Sequence, residues 1–95
     1  MATIDDFIST PGEILLKEFL EPLGVSQCRL AKSIRRPQSA VSDVVRGKRA
    51  MTAAMAWLLD QALGATPQFW LNLQQEYDLR VLDTSKLPPV VALTV

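Results

Sequence analysis

Residues 26 to 49 read SQCRLAKSIRRPQSAVSDVVRGKR, and they concentrate two kinds of chemistry. Arg29, Lys32, Arg35, Arg36, Arg46, Lys48 and Arg49 face a single acid, Asp43, which leaves the segment at +6. The whole chain is neutral, with ten Lys and Arg against ten Asp and Glu, so the remainder carries −6. Cations paired with phosphate oxygens give affinity and orientation on a nucleic acid. Gln38, Ser39, Ser42 and Asp43 are types that read base edges: a glutamine amide pairs adenine in two places, and a serine donates or accepts.

That chemistry needs a scaffold that holds the polar residues between the cations. Two short helical patterns lie here, separated by a turn near Ile34-Arg35-Arg36. Ser26 caps the first, with Leu30, Ala31 and Ile34 on its inner face. Pro37 opens the second, with Val41, Val44 and Val45 inward and Gly47 as its stop. This is helix-turn-helix spacing. In such a unit the second helix enters the major groove and shows its N-terminal residues to the bases. Gln38, Ser39, Ser42 and Asp43 are then the base-reading candidates. Arg35, Arg36, Arg46, Lys48 and Arg49 are the phosphate-contacting candidates. Gln27 joins them, because it stands at a helix N-terminus.

Three more helices complete the pattern. Thr10-Pro11-Gly12-Glu13 has the form of a capping box with proline at the first helical position. Ile14, Leu15, Leu16, Phe19, Leu20 and Leu23 follow at helical spacing up to Gly24. Thr52 caps a segment through Met55, Leu58, Leu59 and Leu63 that stops at Gly64. Thr66-Pro67 starts the last, with a stripe of Phe69, Trp70, Leu73 and Tyr77. Adjacent helical residues point about 100° apart, so Phe69 and Trp70 cannot both face one core. The stripe is the candidate dimer interface; the competing reading is an ordinary core face. Met51, Met55 and Trp57 read as core filler, and Cys28 as an inert small side chain.

Ninety-five residues, 48% of them hydrophobic, predict one packed domain. The division expected is an N-terminal arm over 1–10, a helix-turn-helix domain over 11–82 and a tail over 83–95. Pro88-Pro89 and the β-prone, uncharged VVALTV make the tail extended, either adding a strand to a partner or fraying. No apolar run reaches the roughly 20 residues of a membrane span. The N-terminus lacks a signal-peptide pattern, so a cytoplasmic protein is expected. Histidine is absent and cysteine occurs once. With no glycine-rich phosphate loop and no paired carboxylates either, neither an enzyme nor a metal or other cofactor is expected.

PGEILLKEFLEPLGVSQCRLA (11–31), RGKRAMT (46–52) and TPQFWLNLQQEYDL (66–79) together resemble the Hig-type antitoxins of bacterial toxin–antitoxin modules. These lie within the phage-repressor-like group of helix-turn-helix proteins. The resemblance implies an all-α, five-helix, lambda-repressor-like bundle that forms a homodimer. It implies a double-stranded operator in the protein's own promoter, and a cognate toxin that cleaves messenger RNA. By position it places Gln27 at the phosphate-contacting helix start, Gln38, Ser39 and Ser42 at base-reading positions, and Arg46 and Lys48 in the backbone-contacting link. The chain departs from the family in its turn, where Arg35 and Arg36 replace the usual glycine and apolar residue. That departure bears on the register of the reading helix.

A dimer of such units predicts a palindromic operator with half-sites about 10 base pairs apart. Three functions remain open on sequence: an autorepressing antitoxin, a stand-alone transcriptional regulator without a toxin, and an interaction module that has lost DNA binding. Asp5, Asp6, Glu13, Glu18 and Glu21 either face a basic toxin or simply solubilise the chain.

Overall fold

Hydroxyl side chains set where the helices begin. A computed structural model describes residues 10–94. In it the hydroxyls of Thr10, Ser26, Thr52 and Thr66 accept the backbone N–H three residues on, at 3.1 to 3.2 Å. Each bond satisfies one of the donors that a helix start leaves without a partner. Five helices result, as the punctuation predicts. We label them α1 (residues 11–23), α2 (Gln27–Ile34), α3 (Gln38–Val45), α4 (Ala53–Leu63) and α5 (Pro67–Val81). No strand occurs among the described residues.

α1 is not a regular α-helix. Its ends, Pro11–Ile14 and Glu21–Leu23, are α-helical, but Leu15–Leu20 form a π-helix. Residues five apart in an α-helix diverge by about 140°. A turn closed by i→i+5 bonds stacks them instead. Leu15 and Leu20 are both buried as a result. Periodicity at 3.6 residues does not anticipate this. It also places Leu23 on the inner face, whereas Leu23 is 61% exposed.

The core gathers Leu15 and Leu20 of α1, Leu30, Ala31 and Ile34 of α2, Val41 and Val44 of α3, and Met55, Ala56 and Leu59 of α4. Met51 enters from the α3–α4 link and Trp70 from α5. Trp70 is 0% exposed and lies 5.0 Å from both Phe19 and Phe69, measured between ring centroids. Burying so large an apolar side chain contributes on the order of 2 to 3 kcal/mol. Trp70 therefore cannot be a partner-facing residue, and its assignment to a dimer interface is corrected. Phe69, beside it, keeps an exposed edge, and Leu73 and Tyr77 are half-buried. Trp57 corrects the opposite expectation: it stands on α4 at 56% exposure rather than in the core, because the inner face of α4 is filled by Met55, Ala56 and Leu59.

Beyond α5 the chain makes one short 3-10 turn, Thr84–Lys86, and then runs extended. Val90, Val91 and Leu93 are almost fully exposed, so these side chains pack on none of the helices. The expected arm, except for Thr10, lies outside the described residues, as do Asp5 and Asp6.

Candidate nucleic-acid interface

The geometry of the α2–α3 turn decides what α3 can present. Arg35 adopts a left-handed conformation (φ 56°, ψ 47°). Its N–H and that of Arg36 close back on the carbonyls of Lys32 (3.3 Å) and Ala31 (3.0 Å). This is the Schellman pattern, built with an arginine where glycine is the usual choice. The turn keeps its shape and pays about 1 to 2 kcal/mol of steric strain for it. Arg35→Gly should raise stability by about 1 kcal/mol. A chain of this size should then melt roughly 4 to 8 °C higher in a thermal scan.

α3 turns Ala40, Val41 and Val44 into the core and leaves Gln38 and Ser39 exposed, with Ser42 and Asp43 half-buried. Gln38 and Ser39 are thus open at the N-terminal end of the helix. Ser42 and Asp43 are partly committed elsewhere. The Ser42 hydroxyl donates to the Gln27 side-chain carbonyl at 3.0 Å. That bond holds the start of α2 against α3 and leaves the amide NH2 of Gln27 as the donor end. The Asp43 carboxylate lies 3.6 Å from the Arg49 guanidinium, the one ion pair among the described residues. Asp43, expected to read bases, stays half-exposed beside that guanidinium.

The link after α3 is folded tightly. Gly47 (φ 76°) ends α3, and the N–H groups of Lys48 (2.8 Å) and Arg49 (3.1 Å) donate to the Asp43 carbonyl. Arg46, Lys48 and Arg49 are exposed there, as Arg35 and Arg36 are at the other end of α3. One polar helix end is therefore bracketed by five cations on two rigid turns. Such an arrangement suits a duplex, with backbone phosphates at the brackets and base edges at Gln38 and Ser39.

Two residues to which the sequence assigns no role in the interface shape this surface. Gly12, seen in the sequence only as part of a cap, lies against the backbone of α3. A Cβ placed there would fall 2.7 Å from the Val44 carbonyl carbon and 2.8 Å from the Val45 Cα. Its signal was a glycine inside a helix, where it is unfavourable unless two backbones approach closely. Gln74 is the second; its side-chain carbonyl accepts the Met51 N–H at 2.7 Å. No local pattern marks a contact across 23 residues.

The model of the helix-turn-helix family matches residues 16–70. Virulence-associated protein I of Dichelobacter nodosus is 41% identical over 76 residues, covering 80% of this chain and 70% of the relative. Antitoxin HigA-1 of Vibrio cholerae is 44% identical over 68 residues, covering 72% of this chain and 64% of the relative. The chain thus spans about two thirds of the length of these relatives. A solved structure of Pseudomonas aeruginosa antitoxin HigA with higBA promoter superimposes with a TM-score of 0.74 at 40% identity, covering 77% of this chain and 79% of that one.

Proposed function

Because this chain belongs to the helix-turn-helix family, in its Hig-type antitoxin group, we propose that it binds an operator in its own promoter and neutralises a toxin encoded beside it. The observation that carries the DNA half is the bracketed helix: Gln38 and Ser39 stand open on α3, while Arg35, Arg36, Arg46, Lys48 and Arg49 hold the two turns beside it. Gln27, fixed by Ser42, adds a neutral donor to the phosphate contacts. The relative solved with higBA promoter supports promoter DNA as the ligand.

The protein acts as a homodimer in this reading, and Phe69, Leu73 and Tyr77 supply the accessible part of the contact on α5. Two reading helices related by a two-fold axis then lie about 34 Å apart, one turn of DNA. Footprinting of the region upstream of the coding sequence should give two protected half-sites about 10 base pairs apart. A single unsymmetrical half-site would contradict the dimer.

The toxin half is tested by co-expression with the neighbouring gene. A copurifying complex and restored growth are expected. Operator binding without either outcome leaves the chain a stand-alone regulator, the alternative function.

A further inference from the structure

The cations of the α3–α4 link sit on a peptide segment that α5 holds by one side-chain hydrogen bond, next to the buried Met51. The Gln74 carbonyl oxygen accepts the Met51 N–H at 2.7 Å. The Gln74 NH2 donates to the Asp78 carboxylate at 2.8 Å, which fixes which end of the amide faces the link. Beside this contact lies a cavity of about 200 Å³ whose walls include Gly12, Arg49, Tyr77 and Asp78. Met51 itself is anchored in the core, and the cavity leaves the cationic part of the link room to shift once the tether is cut.

We propose that Gln74, oriented by Asp78, is a positioning residue for DNA binding: it fixes the height of the Arg46–Arg49 link on the body and so decides whether those cations reach phosphates. The proposal rests on the reading of that link as a phosphate clamp. It adds a site on α5 that touches no nucleic acid itself. Within the link, the bonds to the Asp43 carbonyl set the local shape. At the far end of the link, the Gln74 tether is the one hydrogen bond among the described residues that joins it to α5.

The test uses the full chain, a labelled duplex from the region upstream of its own coding sequence, and a mixed-sequence duplex of equal length. Gln74→Met keeps the volume and removes the acceptor. Its affinity for the upstream duplex should fall about tenfold or more. The slope of log affinity against log salt should become shallower by about one to two, as phosphate contacts are lost. Amide exchange at Met51 should speed up in the same variant without DNA. Gln74→Glu keeps an acceptor but sets two carboxylates together, and should also bind weakly. Adding Asp78→Asn restores a donor facing that carboxylate, and the double variant should regain both affinity and slope.

A residue that only stabilised the fold would lower the melting temperature and leave the slope unchanged; that result overturns the proposal, as does a double variant that fails to recover. Lys48→Glu separates the two levels. If Lys48→Glu leaves binding to both duplexes unchanged, the phosphate clamp itself fails. If Lys48→Glu weakens binding and Gln74→Met does not, only the positioning role fails.

Discussion

Gly12→Ala should be the most damaging single methyl group that can be added to this protein. The new Cβ would meet the carbonyl carbon of Val44 and the Cα of Val45 at 2.7 and 2.8 Å, inside the closest approach that real Cβ atoms make. Those neighbours are backbone, so no rotamer change relieves the clash. Either α1 backs away from the core or α3 shifts. Overpacking of this kind costs about 1 to 3 kcal/mol, and more where nothing can yield. We expect about 3 kcal/mol here, a large share of the roughly 5 to 15 kcal/mol that holds a small domain. The melting temperature should fall by roughly 10 to 20 °C.

The clash also falls on the C-terminal end of the reading helix, so operator affinity should drop even below the melting transition. Gly24→Ala is the matched control. Gly24, unlike the helical Gly12, has a positive φ, of 67°, but nothing lies within 4 Å of its added Cβ. That variant should lose about 1 to 2 kcal/mol from backbone strain alone, with operator affinity unchanged. Calorimetry and binding on the two variants check the difference. Equal losses of affinity would remove Gly12 as the spacer between α1 and α3.

The second large effect is electrostatic. Arg36→Glu with Lys48→Glu reverses one cation in each turn that brackets α3. Each reversal removes a phosphate contact and sets a carboxylate against the phosphate. Binding to the operator should weaken by about 100-fold or more at moderate salt, and the salt slope should fall by about two. Both side chains are exposed, so the fold should be affected by less than about 0.5 kcal/mol. Arg80→Glu with Lys86→Glu makes the same change in net charge at the C-terminal end and is the control. If both pairs weaken binding alike, the protein's overall charge rather than the two turns holds the DNA. If neither does, the surviving reading is the interaction module that keeps the shape and has lost DNA binding.

Much of the scaffold was legible because its signals are local. A helix cap requires a hydroxyl at one position and an N–H three residues on, and Thr10, Ser26, Thr52 and Thr66 supply these within a single turn of chain. The inner faces of α2 and α3 were legible for the same reason, since Leu30, Ala31, Ile34, Val41 and Val44 recur at the helical period and are buried. Where the reading failed, the deciding neighbour was distant in sequence or the period was not helical. Trp57 and Trp70 are both tryptophans in apolar surroundings, yet one is exposed and the other sealed among Phe19 and Phe69. The π-helix in α1 buries together Leu15 and Leu20, which a 3.6-residue count sets about 140° apart, and Leu23 is exposed against that count.

The order of residues by itself determined the five helices, the helix-turn-helix spacing and the clustering of positive charge, because each depends on side chains within a few positions of one another. The tertiary structure alone decided that Gly12 lies against the α3 backbone, that Trp70 is sealed while Trp57 is exposed, and that Gln74 holds the link from across the fold. These depend on which surfaces meet when helices pack. That outcome is set by summed burial over the whole core, and no short window of sequence contains it.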